Sequence, residues 1–246
     1  MADGELRRHD TGEIAVRNIL SRWVVTSTVV LLLVMAAASP ALARNWDRSL
    51  RKLENEIGKN EWKDALDRAV EIRSGMIEEI PSSEATKRGL ARTFLWQAIA
   101  EANLGRDEDA LWHWYMAQNY LEGLPGMDLS GYDRAGEVLA GHSLDAEVAP
   151  ASAPADVAGD RAVQVVRPIK PRWPAELKAA GYEGAVVVKI VVGLDGKPHL
   201  PRLEDAGIVP TMAFPALEAL KNWRFSPAVR AGQALVSYYQ LKISYP

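Results

Sequence analysis

The chain has 246 residues, a formal net charge of -3 and no cysteine; that length holds two compact units at roughly 100–200 residues each, and the missing thiols exclude disulfides, thiolate nucleophiles and cysteine metal ligands. The charge is uneven: residues 46–145 carry 19 acidic and 12 basic side chains and residues 161–246 carry 6 and 12. This reversal either steers an anionic partner to the second half or solvates two unlike surfaces, and nothing beside it argues for nucleic acid.

Residues 1–22 read as a cytoplasmic segment containing Arg7, Arg8, Arg17 and Arg22, followed by residues 23–43 without a charge. The apolar run 29–38 has signal-peptide length, and Ala41-Leu42-Ala43 is the small-x-small pattern of a cleavage site. The whole uncharged stretch, at ~1.5 Å per residue, also suffices to cross a ~30 Å hydrocarbon core. The expectation is either a single-pass transmembrane anchor or a signal peptide cleaved after Ala43, and both put everything beyond Arg44 outside the cytoplasm.

From Trp46 the pattern is amphipathic. Leu50, Leu53 and Ile57 recur at intervals of three and four, then Trp62, Ala65, Leu66, Ala69, Val70 and Ile72, and a later group runs Leu90, Phe94, Ala98, Ala102, Ala110, Leu111, Trp114 and Ala117. Ser82 or Ser83 can cap a helix start, and Gly105 marks a tight turn between two helices. Gly105, Ala110, Trp114 and Ala117, with an earlier echo that aligns Ala65 with Ala110 and Leu66 with Leu111, resemble a degenerate tetratricopeptide repeat over residues 46–122. Trp112, Trp114 and Tyr115 either cover the packed hairpin or line a recognition face. A short helix is expected near 133–139, and the Pro- and Ala-rich stretch 146–162, with Pro150 and Pro154, is a linker.

After it, Pro174 opens a short helix at 175–180 that Gly181 ends, and Gly184 releases the chain into a β-branched strand at 185–192. Asp195-Gly196 is a tight-turn signal into a strand at 199–203. A helix at 212–222 leads to Trp223 and Phe225, whose period-two spacing points both rings inward. Pro227 keeps the chain extended and Gly232 turns it into a last strand at 234–245. The fold expected is α+β: a small three-stranded antiparallel sheet packed with helices over 163–246, an all-α helical-hairpin region over 46–145 before it, and one hydrophobic helix at the N-terminus. Glu176, Glu183 and Glu218 lack an obvious partner base, nucleophile or phosphate loop, so no catalytic or cofactor-binding residue is expected. His9, His113, His142 and His199 are scattered without metal-site spacing and read as surface or half-buried imidazoles, so no metal site is expected either.

Pro171, Trp173, Pro174, Gly181, Gly184, Val186, Val188, Asp195, Gly196, Ala219, Leu220, Trp223, Phe225, Pro227, Ala228 and Gly232 follow, in order, the pattern of the TonB energy-transducer C-terminal domain. Trp173 stands where that family more often has Tyr. The resemblance implies a non-enzymatic periplasmic module whose edge strand pairs with a plug segment of an outer-membrane TonB-dependent receptor, with Ser237, Tyr239, Lys242 and Tyr245 at the rim of the contact. It also implies an anchor on the periplasmic side of the inner membrane and an inner-membrane proton-channel complex as partner. Two features depart from the transducers: the apolar segment has no His, and the helical region stands in place of a long Pro-rich spacer. A secreted periplasmic scaffold or adaptor without energy transduction is therefore the competing reading, and protection of the last strand by a homodimer or by residues near Val165 is the alternative to an open edge.

Overall fold

The computed structural model describes residues 46–78, 84–121, 123–145, 160–179, 181–205 and 208–245. The expected segments 1–22 and 23–43, the capping serines Ser82 and Ser83 and most of the linker lie outside them. The single-pass transmembrane anchor expected at 23–43 is not found: among the described residues no helix is long and apolar enough to cross a membrane, and 23–43 itself lies outside them.

Helix α1 (Trp46–Gly58) and helix α2 (Trp62–Ile77) form one hairpin, and α3 (Glu84–Asn103) and α4 (Asp107–Gln118) form another. Each expected apolar stripe is the buried one: Leu50, Leu53 and Ile57 on α1, and Ala65, Leu66, Ala69 and Ile72 on α2. Helix α3 is buried nearly all round, because α1, α2, α4 and α5 (Arg134–Leu139) all pack on it. Its Ala91, Ala98, Ala100 and Ala102 let those neighbours approach closely. Both hairpins close in the same way. At the first, Asn60 has φ 61 and Glu61 N–H reaches back to Glu56 O (2.9 Å); at the second, Gly105 has φ 75 and Arg106 N–H reaches Glu101 O (2.9 Å). These are left-handed caps in which the bond from the third residue past the helix satisfies an otherwise orphaned carbonyl.

The C-terminal part begins with β1 (Gln164–Arg167) and a one-turn helix α6 (Ala175–Ala179). Strands β2 (Ala185–Val192), β3 (Pro198–Leu203) and β7 (Ser237–Ser244) make a three-stranded antiparallel sheet in the order β3-β2-β7. Helix α7 (Pro210–Leu220) covers one face, packing on β2 and β3. Val186, Val188, Ile190 and Val192 of β2 and Leu241 and Ile243 of β7 are buried, the period-two pattern of a sheet with one covered face. The expected last strand at 234–245 is two strands. Residues Gln233–Leu235 (β6) pair instead with Ala228–Arg230 (β5), across a turn in which Ala231 (φ 48) and Gly232 (φ 79) are both left-handed. That mirror-image turn matches strand twist and makes a local hairpin, so β7 starts only at Ser237. Strand β4 (Arg224–Ser226) pairs with β1, so Val165 lies opposite Phe225 and not beside β7.

Residues 46–246 form one compact unit. Its core runs without a break from Leu53 and Phe94 through Phe214 to Val188 and Ile243. The helices and the sheet share this interior, with α4 packed on β3 and α2 on α7.

Candidate protein-binding edge

The signature Asp195-Gly196 and Trp223-x-Phe225 meet in space. Gly196, at φ 72, accepts the N–H of Phe225 on its carbonyl (2.9 Å), and a Cβ at Gly196 would lie 2.3 Å from Phe225 O. Only glycine meets both demands, the left-handed turn and the close backbone approach. Asp195 closes the same turn by accepting the Lys197 N–H (3.0 Å). Burial raises the pKa of its carboxyl, but that hydrogen bond together with His199 outweighs it and leaves Asp195 below the ordinary value. Gly196→Ala should therefore destabilise the sheet by roughly 2–5 kcal/mol, the sum of a left-handed alanine and an overpacked contact. A urea melt checks this, and an unchanged midpoint would remove Gly196 from the packing argument.

Phe225 is buried, whereas Trp223 is half-buried and donates its indole N–H to Ile169 O (2.8 Å). The two rings are not equivalent core members: Phe225 fills the interior, and Trp223 ties the segment before α6 to the end of α7. Trp173 packs edge-on against Tyr245, with centroids 5.4 Å apart. Pro174 precedes α6, Gly184 has φ 130, and Pro227 separates β4 from β5.

Strand β7 is the outermost strand of its sheet. Its register with β2 runs unshifted from Ala185↔Ser244 to Val192↔Ser237, and Tyr245 donates its N–H to Gly184 O (3.0 Å) at the next pair. Antiparallel pairs alternate, so residues 237, 239, 241 and 243 exchange bonds with β2 while the backbones of Tyr238, Gln240, Lys242 and Ser244 face away from it. Among the described residues no strand pairs with that outward side. Of the four residues read from the sequence as a contact rim, Ser237 is buried and Tyr239 packs edge-on against Phe225 (5.8 Å). Tyr245 lies against Trp173, and Lys242 is exposed. Sequence reading overlooked Tyr238 and Gln240; strand parity would have found them had the register been known. Tyr238 carries Lys189 Nζ over its ring at 5.0 Å.

Two further sequence readings change. His113, expected at the surface or half-buried, is buried, and Glu218, expected to lack a partner base, pairs with it. His113 Nδ1 lies 2.6 Å from Glu101 Oε2 and its Nε2 lies 3.0 Å from Glu218 Oε1, while Arg73 Nη1 reaches Glu218 at 2.9 Å. Trp112, Trp114 and Tyr115 are buried, with the Trp114 indole N–H on His142 O (2.8 Å). Trp112 and Tyr115 also border a cavity of about 370 Å³ between α4 and the β2–β3 turn.

The sheet, its turn and its outermost strand define a small β-sheet module with helices behind it. Residues 169–246 match the family described as the Gram-negative bacterial TonB protein C-terminal. No curated protein matches the chain significantly. Proteins of that family are non-enzymatic scaffolds, and among the described residues no group of three or more His, Asp or Glu side chains could hold a metal ion.

Proposed function

We propose that the chain is a non-enzymatic periplasmic adaptor that takes an extended segment of an outer-membrane TonB-dependent receptor, or of another envelope protein, as an added strand on β7. The observation that carries the reading is the outward-facing backbone of Tyr238, Gln240, Lys242 and Ser244 on a regular strand of eight residues at the end of the sheet. Such a row of N–H and C=O groups is a template for another strand, and main-chain bonds supply the affinity in this mode of recognition. The helical hairpins, read from sequence as repeat-like, sit behind the sheet as one body with it. A pull on β7 would therefore load the helices directly, which supports force transmission through this unit.

The test is a proline whose lost N–H faces the partner. Gln240→Pro removes an outward donor and leaves the β2 ladder intact, whereas Tyr239→Pro breaks that ladder. Gln240→Pro should weaken capture of receptor-enriched outer membranes by the full chain about tenfold or more, with Gln240→Ala unaffected, because each lost 1.4 kcal/mol is a factor of ten. Equal capture by Gln240→Pro and the parent chain, at equal thermal stability, would overturn the edge reading.

A further inference from the structure

The sheet has a second edge, and there the helical region supplies what a strand would. Leu203 donates its N–H to Asn119 Oδ1 at 2.8 Å, and Asn119 Nδ2 donates to Pro201 O at 2.9 Å. On β3 the ladder bond from Glu204 N–H to Val187 O fixes the parity: Glu204 faces β2, so Leu203 faces outward. The Asn119 carboxamide, one acceptor beside one donor, therefore meets the same N–H and C=O that a neighbouring strand would use. Its own position is fixed by a second bond from Nδ2 to Tyr115 O (2.9 Å) in the last turn of α4.

Two features of β3 act in the same direction. Pro201 brings no N–H to the edge, and Leu200, at φ 50, sits where the register with β2 shifts between Lys189 and Val191. Proline, a bulge and a covering element are the ordinary means by which sheets blunt an edge. Strand β7 has no proline and no register shift along its eight pairs with β2. The two edges are thus built differently, and the residue that completes the closed one lies outside the sheet, at the end of α4.

We propose that Asn119 is a specificity-determining cap: it closes the β3 edge, so that the chain accepts one extended strand at β7 and copies do not join through β3. The β7 half of this statement rests on the strand-addition reading above; the closure of β3 does not.

The full-length chain carries the test. Hydrogen exchange should show the Leu203 amide roughly 5- to 30-fold faster in Asn119→Ala, the factor that one or two lost kcal/mol corresponds to. Asn119→Asp, which keeps the acceptor for Leu203 and loses the donor to Pro201, should stay near the parent rate. Because the chain has no cysteine, Arg202→Cys places a single thiol on β3. Mild oxidation should give disulfide-linked dimer in the Arg202→Cys, Asn119→Ala double variant and several-fold less in Arg202→Cys alone. A Leu203 amide exchanging at the parent rate in Asn119→Ala, or equal dimer with and without Asn119, overturns the cap. Gln240→Pro reads β7 separately: retained receptor capture there overturns the single-strand half of the proposal without changing the Leu203 readout.

Discussion

Phe214→Ala should lower the stability of the 46–246 unit by about 3–5 kcal/mol, the usual range for deleting a fully buried ring. Phe214 is completely buried on α7, where its ring centroid lies 4.5 Å from Phe94 of α3 and 5.3 Å from Tyr120. Phe94 in turn stacks on His113 (5.7 Å) and has the Arg73 guanidinium over its ring at 5.7 Å. The cavity left by the substitution would open between the helices and the sheet's covering helix, where neither side can collapse without moving the other. The loss should therefore appear as one cooperative transition at lower denaturant, with far-ultraviolet circular dichroism and tryptophan fluorescence coincident. Fluorescence reports both parts, since Trp112 and Trp114 lie on α4 and Trp173 and Trp223 lie in the C-terminal part. Two separate transitions, with the helices melting independently of the sheet, would contradict the shared core.

Much of the secondary structure was legible because local chemistry dictates it. Leu50, Leu53 and Ile57 gave α1 by period alone, Gly105 and Gly181 marked helix ends, and the alternating valines gave β2 almost to the residue. What failed was what depends on pairing partners. Strands β1, β4, β5 and β6 are three or four residues long, too short for a periodic signal, and exist only through their ladders. The division of the last strand at Val236 has the same origin. The candidate edge was visible as a long strand, but which of its backbone groups face outward depends on register with β2, which no composition encodes. Asn119 and His113 escaped for a related reason: each reads as an ordinary polar residue near the end or in the middle of a helix, and its importance comes from partners elsewhere in the chain, 82 and 84 residues away for Asn119 and 12 and 105 for His113.

The second large effect lies in the buried charge network that joins the two parts. His113→Ala should destabilise the unit by about 3–5 kcal/mol, because it leaves a buried carboxylate without its cation. That carboxylate is Glu101, whose side chain is 4% exposed and which also accepts the Gln97 amide (3.0 Å). Burial alone would push the His113 pKa down, but hydrogen bonds and charges from Glu101 and Glu218 outweigh it and raise the group above its ordinary 6.5. For Glu218 burial raises the pKa, and His113, Arg73 and Lys221 together overcome this and bring it from 4.5 to about 2. A histidine raised by folding contributes fully below 6.5, and its contribution is lost as pH climbs through the raised value. A carboxylate lowered by folding contributes fully above 4.5, and its contribution is lost as pH falls toward 2. The network is thus complete between 4.5 and 6.5 and weakens on both sides. The acid limb is moderated by solvent, because the Glu218 side chain is 31% exposed and water screens its pairs. Urea melts of the parent and His113→Gln from about pH 4 to about pH 9 isolate the effect from His142 and His199, because only the difference between the two curves belongs to His113. That difference should be greatest in the acidic half of the range and shrink as pH rises. A difference independent of pH would mean that His113 serves as a neutral spacer, with the two carboxylates held by Arg73, Gln97 and Lys221.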